Sequence, residues 1–386
     1  MKKYLLTALF AFLLPTVILA QETVYPITVV ERETEFYATQ MKLWKKVTEK
    51  EPQNGEAWFN LYKAARYKDF PASRNDEAYR KEVSQLVEEM GKAMPNSFEY
   101  YYCYAWHNQF EDDKFEYLMK AYSIDSTRPR ISEDLFTHHY RKGDWTKANH
   151  YINKMYRQQT TAPQLLSFCY NLLACTEENS ILFLAGDNDS YPTWMLQAAK
   201  GVRPGVATLN YSLLMDTEFA PKILKFHNLK HTKADLKLLE PSEEMMTNVG
   251  KFMRSLAEQN PDRKMYLPLT VHKEVRDVME DDLYLVGPVF QYCQHRFDNI
   301  AVLKRNWNEN LKLDYLDFTV YSENYMYSAE GLPYTVMVYL YPAATLYHHY
   351  KQSGEGQKAE EMLTFMKDLS AKMGDPDHYK RYLQVD

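Results

Sequence analysis

The residues best placed to do chemistry are two carboxylates, Asp187 and Asp189, with Asn188 between them and Gly186 before them. They follow the apolar run Ile181-Leu182-Phe183-Leu184-Ala185 and precede a helical pattern. In open α/β sheets, ligands bind beyond the carboxyl ends of the strands. At such a place Asp187 and Asp189 could hold Mg²⁺ or Ca²⁺ through oxygen, and the ion could assist chemistry on a glycan or a phosphate ester. The same residues also serve structure. Asp and Asn favour tight turns, and Asp189 or Ser190 can cap the next helix, where an acid suits the positive end of the dipole. The spacing is not that of an EF-hand, because the twelfth position from Asp187 is Ala198 and not Glu. Asp187-Asn188-Asp189 has the Asp-x-Asp form of nucleotide-sugar glycosyltransferases, but three letters specify little.

Other candidates are weaker. Arg203 can pair with a carboxylate of the acidic turn and hold it, or contact an anion. His227 and His231 are four apart and would share a helix face, yet no acid stands between them as in a His-Glu-x-x-His site. The adjacent pairs His138–His139 and His348–His349 point to different helix faces. There is no Gly-x-Ser-x-Gly, no Gly-x-x-x-x-Gly-Lys and no Gly-x-Gly-x-x-Gly. Cys103, Cys169, Cys175 and Cys293 form no Cys-x-x-Cys pair, which argues against zinc. They leave three disulfide pairings open, beside buried free thiols.

The elements that must position these residues are legible from period and punctuation. Pro95, Pro129 and Pro163 are spaced by 34 residues, the period of tetratricopeptide repeats. Pro52 joins the register if residues 69–75 are an insertion. Between the prolines, residues 56–67, 76–93, 98–108, 114–124, 132–141 and 145–157 have helical apolar spacing, and 164–175 reads as one further helix. After Ser180 the pattern changes. Residues 181–185, 206–214, 264–271 and 283–289 read as strands. Helices are expected at 191–200, with Pro192 in the first turn, and at 219–226, 243–258 and 273–280. Strands alternating with helices predict a small parallel sheet. Residues 339–352 and 357–372 predict a closing helix pair. The expected organisation is a signal peptide (1–20), helical repeats (21–178), an α/β domain (179–297) and a C-terminal helical segment (298–386).

Composition agrees. The chain has 386 residues, with 12 glycines and 32 tyrosines. Scarce glycine argues against repetitive β structure, and abundant tyrosine argues against disorder. Tyr100-Tyr101-Tyr102, Tyr104 and Trp106, with Tyr321, Tyr325, Tyr327 and Tyr334, could line a concave repeat surface or fill its core. Lys2, Lys3 and the apolar stretch to Leu14, with a small-residue site at Ala20, predict export to the periplasm or beyond. Loss of that segment takes the net charge from −6 to −8. This balance disfavours nucleic acid as a partner.

The stretch from Ile181 to Leu214 resembles part of a family of large envelope proteins of the Bacteroidota. The residues that carry the resemblance are Gly186-Asp187-Asn188-Asp189, Tyr191-Pro192, Trp194, Gln197, Gly201-Val202-Arg203, Val206, Asn210 and Ser212-Leu213-Leu214. A looser similarity runs from Met265 to Gly287. Ser190 stands where the family has threonine, and Gly205 where it has an acid. Those proteins join a glycosyltransferase-C-like, protein O-mannosyltransferase-like membrane half to a soluble half. This sequence is similar to the soluble half alone, so glycosyl transfer is not implied for it. The resemblance adds Trp194 and Arg203 to Asp187, Asn188 and Asp189 as candidate ligand-binding residues. The expected function is an exported envelope scaffold that binds a protein, peptide or glycan on its repeats, without a cofactor. The alternative is a metal-assisted enzyme at Asp187 and Asp189.

Overall fold

The computed structural model describes residues 20–27, 29–68, 76–108, 113–317, 325 and 332–384. The expected signal segment, apart from Ala20, lies outside the described residues, as do the expected insertion at 69–75, Tyr321 and Tyr327 and the side chain of Tyr334. Among the described residues no helix is long and apolar enough to cross a membrane. The chain divides into two compact units, one comprising residues up to Val24 and Arg32–His107, the other Tyr25–Glu31 and Asn108–Asp386. The expected segments 21–178 and 179–297 do not coincide with these units.

The first unit is helical: α1 (Thr34–Lys50), α2 (Gly55–Tyr67), α3 (Glu77–Ala93) and α4 (Phe98–His107). Helix α1 was not marked out by sequence pattern. Asn54 caps α2 by accepting from Ala57 N–H, and Asp76 caps α3 by accepting from Ala78 N–H. Trp58, Leu61, Tyr62, Val83, Val87 and Met90 form the core between them. The aromatic residues of α4 mostly join this core and do not form an open lining. Tyr102 stacks on Phe98 with centroids 5.5 Å apart, and Trp106 packs 5.7 Å from Tyr62.

The second unit begins with α5 (Lys114–Ile124), α6 (Pro129–Lys142), α7 (Trp145–Gln158) and α8 (Pro163–Ala174). Pro129 and Pro163 occupy the first turns of α6 and α8, while Pro52 and Pro95 lie just before α2 and α4. The prolines therefore open alternate helices, because a proline ring suits a first turn and breaks a later one. Gly143 closes α6 in a left-handed conformation, and Asp144 caps α7 by accepting from Lys147 N–H.

A five-stranded sheet follows in the order β2-β1-β3-β5-β4. Its strands are β1 (Ile181–Leu184), β2 (Ala207–Asn210), β3 (Met265–Pro268), β4 (Leu283–Leu285) and β5 (Val289–Tyr292). Strand β1 is parallel to both β2 and β3, as expected for runs buried on both faces. The other edge corrects the all-parallel expectation. Residues 283–289 read as one strand, but the chain turns at Val286-Gly287-Pro288, and β5 runs antiparallel to β3 and β4. The run 206–214 also divides. Asn210 accepts from Leu213 N–H and starts α10 (Tyr211–Leu214) at the end of β2.

Around the sheet lie α9 (Gly186–Lys200), α11 (Ala220–Phe226), α12 (Lys233–Lys237), α13 (Met245–Gln259), α14 (Lys273–Asp277), α15 (Asn299–Arg305) and α16 (Leu332–Met337). The expected closing pair is present as α17 (Leu340–Gln352) and α18 (Gly356–Lys372). It packs Leu346, Tyr350 and Ala359 against Leu285, Phe290 and Leu303. At the amino ends of the strands Arg263 donates to the carbonyls of Asn179, Ser180 and His227.

Asn171 of α8 joins the repeats to the C-terminal segment. It is fully buried, its Nδ2 donates to Lys312 O at 2.9 Å and to the Tyr339 hydroxyl at 2.7 Å, and its Oδ1 accepts from Lys312 N–H at 2.8 Å. Replacing Asn171 by alanine leaves the Lys312 amide and carbonyl without their side-chain partner and removes a donor to the buried Tyr339 hydroxyl. Each unsatisfied group costs about 1–3 kcal/mol. Asn171→Ala is expected to lower stability by roughly 2–4 kcal/mol in urea unfolding, and Tyr339→Phe by about 1 kcal/mol.

Candidate functional site

The acidic turn is helical. Helix α9 begins at Gly186, five residues before the expected start, so Gly186-Asp187-Asn188-Asp189 is its first turn and Pro192 lies in its interior. Gly186 has φ +76° and Gly201, at the other end, φ +65°, values that favour glycine. Two of the three glycines in the stretch 181–214 therefore bracket this helix. Pro192 has no N–H for the carbonyl of Asn188, and the thiol of Cys169 donates to that carbonyl instead, at 3.5 Å.

A helix turns about 100° per residue, so side chains two apart diverge by about 200°. Asp187 is exposed as a residue, yet desolvation of its carboxyl raises it above the usual carboxylate range, against the opposing pull of Arg130 on α6. Asp189 turns inward and is 1% exposed. The two carboxylates do not converge on one ion, and the paired metal site expected from Asp187 and Asp189 is not formed by them. Among the described residues no group of three or more His, Cys, Asp or Glu side chains is placed to hold a metal. Neither Asp189 nor Ser190 caps α9, whose N-cap is Ala185 without a side-chain bond. The Ser190 hydroxyl donates to Gly186 O at 2.7 Å and accepts from Asn210 Nδ2 at 2.9 Å.

Asp189 ties two strand ends together. Its Oδ2 accepts from the Thr270 hydroxyl at 2.7 Å and from Ala185 N–H at 3.3 Å. These groups follow β3 and β1, the pair at which the strand order reverses. Oδ1 is buried without a hydrogen-bond partner among the described residues. Burial pushes the carboxyl up to about 7, against the pull of the Thr270 and Ala185 bonds.

Beside Asp189 a cavity of about 640 Å³ opens at the carboxyl ends of β1, β2 and β3. The chain after each strand lines it: Gly186 and Asp189 after β1, Tyr211 and Ser212 after β2, Thr270, His272 and Arg276 after β3. Met337, Tyr341 and Tyr382 close the other side. Burial, with the nearby Asp189 carboxylate, pushes the Tyr211 hydroxyl up to about 12, so Tyr211 is a neutral donor. Of these residues, sequence pattern singles out Asp189 as a site candidate, and the resemblance includes Gly186 and Ser212. The signal was available, since the strand-end rule that picks out Asp189 applies equally to Tyr211 and Thr270.

The remaining candidates lie elsewhere. Trp194 is core, with its ring 4.8 Å from Tyr140 and 5.4 Å from Phe136 of α6. Arg203 precedes β2, at the opposite end of the sheet from Asp189, and its carbonyl accepts from Gln197 Nε2 at 3.0 Å. It neither pairs with the acidic turn nor faces the cavity. Asn188 is half-buried and contributes its carbonyl to the Cys169 contact. Helix α11 ends at Phe226, and Asn228 has φ +55°, so His227 and His231 share no helix face. His138 stacks on Phe115 at 4.0 Å and His139 on Tyr151 at 5.6 Å, as packing residues. All four cysteines are free thiols, and Cys103, Cys169 and Cys175 are buried.

Residues 165–232 match the family described as TMEM260-associated domain 2. The match runs from α8 through β1, α9 and β2 to the start of α12, and it agrees with the resemblance to protein O-mannosyltransferase-like proteins read from Gly186 to Leu214. No curated protein matches the chain.

The raised Asp189 carboxyl has a consequence for stability. Between pH about 4 and about 7 the folded chain holds a proton that the unfolded chain has lost. Stability therefore falls as pH rises through that window, by about 1.4 kcal/mol per unit of pKa difference. Asp189→Asn keeps an acceptor for Thr270 without the charge. It is expected to melt higher than the wild type at pH 8 and at the same temperature near pH 4, read by circular dichroism.

Proposed function

We propose that this chain is an exported binding protein of the cell envelope that receives a glycan unit in the crevice beside Asp189. Its helical repeats supply the surface for a protein partner. The observation that carries this reading is the unpartnered Oδ1 of a buried carboxylate on a cavity at the strand-order reversal. A buried acceptor without a donor is costly, and a ligand hydroxyl satisfies it. Tyr211, Tyr341 and Tyr382 offer aromatic faces and further hydroxyls, a combination suited to sugar rings. A concave, largely preformed pocket with a few convergent polar groups is the usual form of a small-ligand site.

The envelope setting is supported by the basic and apolar leader and by the resemblance to Bacteroidota envelope proteins, which handle protein-linked sugar. Metal-assisted hydrolysis through Asp187 and Asp189 together gains no support from carboxylates on opposite sides of α9. Binding without turnover fits the geometry better.

The test is a glycan array probed with the full chain and with Ser212→Trp. Ser212 is exposed at the mouth of the crevice, so the indole blocks the cavity without disturbing the core. Wild-type protein is expected to bind a subset of glycans, and Ser212→Trp to lose at least tenfold in affinity with an unchanged melting temperature. Equal binding by the two proteins would place the ligand elsewhere. Recovery of the chain in the cytoplasmic fraction of its host would overturn the export.

A further inference from the structure

The crevice has an uneven charge distribution. Lys273 and Arg276 both lie on α14. Lys273 pairs with Asp277 at 2.7 Å, so its charge is already answered. Arg276 is held by groups that leave its charge unanswered. Its Nε donates to Val271 O at 3.1 Å, and its guanidinium lies 5.6 Å from the centroid of the Phe290 ring. The two terminal nitrogens have no hydrogen-bond partner among the described residues, and no carboxylate pairs with them. Asp189 lines the same cavity without forming an ion pair to Arg276.

An arginine fork fixed at Nε and free at both ends matches a planar or tetrahedral oxyanion. A buried carboxyl oxygen without a donor matches a hydroxyl. A neutral sugar would leave Arg276 unused. An amine would meet the guanidinium charge in the same cavity. The chain is acidic overall, so it has no general attraction for anions, and an anion bound here must be bound by local groups.

Resting on the crevice reading above, we propose that the bound glycan unit is acidic. Its carboxylate or phosphate sits on the terminal nitrogens of Arg276, and one of its hydroxyls donates to Oδ1 of Asp189. His272 lines the same cavity, with its ring 6.5 Å from that of Tyr211.

The experiment is a titration of the full chain with three disaccharides of one backbone, bearing a uronate, a phosphate or no charge, followed by protein NMR shifts. At least one acidic probe is expected to bind tenfold or more tighter than the neutral one, and its affinity to fall as salt rises. Preference between the two acidic probes identifies the source of the anion. Arg276→Gln is expected to lower the acidic affinity at least tenfold, to about the level of the neutral probe, and to remove its salt dependence. Should the glutamine variant fail to fold, Arg276→Lys keeps the charge and the stem but not the fork. It is expected to lose most of the discrimination. Equal affinity for all three probes, with Ser212→Trp abolishing it, overturns the acidic ligand and leaves the crevice reading standing. No shift with any probe, in wild type and Ser212→Trp alike, overturns both.

Discussion

The second unit is organised by the burial of one helix on two sides. From Asp189 to Leu196 every residue of α9 is buried. Tyr191, Pro192, Trp194, Met195 and Leu196 fall on more than one side of the helix, so it needs cover on more than one side. The sheet covers one face, through Gln197 to Thr208 and Ser190 to Asn210. Helix α6 covers another, through the Phe136, Tyr140, Tyr191 and Trp194 cluster and the Thr137–Tyr191 hydroxyl bond at 2.6 Å. The Arg141–Asp216 ion pair fastens the same helix to the chain beyond α10. Helices α5 to α8 and the sheet lie in one compact unit, with α9 as a common core between α6 and the sheet.

That packing also sets the chemistry of the acidic turn. Gly186 lets the chain pass from β1 into the helix without a loop, and the helical pitch sends Asp187 and Asp189 opposite ways. Asp189 loses its water and gains two bonds on one oxygen only. A buried carboxyl with one free oxygen is held close to neutrality, and it stays in place because α9 cannot rotate without breaking the aromatic contacts on its far side. The cost of the unsatisfied oxygen is carried by a tightly packed helix.

Much of the framework was legible in the chain. The 34-residue proline spacing works because proline is accepted only in a first turn, so the period of the prolines is the period of the helix starts. The apolar run at 181–184 could be read as a buried strand because parallel strands hide both faces. The closing helix pair followed from its apolar spacing. Other features were hidden for physical reasons. The hairpin at Val286-Gly287-Pro288 joins two apolar runs whose pattern is continuous, and only pairing with β3 shows the reversal. Helix α1 is rich in charge and is held by its neighbours more than by its own pattern. Asp-Asn-Asp has the same turn-forming composition whether it makes a loop or a helix start, so the first turn of α9 could not be told from a loop.

Sequence alone determined most of the helices and the buried strand at 181–184, because periodicity, proline and glycine act on the local backbone and need no partner. It also picked out the neighbourhood of the site, since the end of a parallel strand is a local feature. Only the tertiary structure decided which side chains meet there. Tyr211, Thr270 with Arg276, and Tyr341 come from three separate stretches, and Arg203, close to Asp189 in sequence, lies at the far end of the sheet. A site at a strand-order reversal is built by the crossing of the chain from β2 to β3, and that crossing has no signature in any one segment.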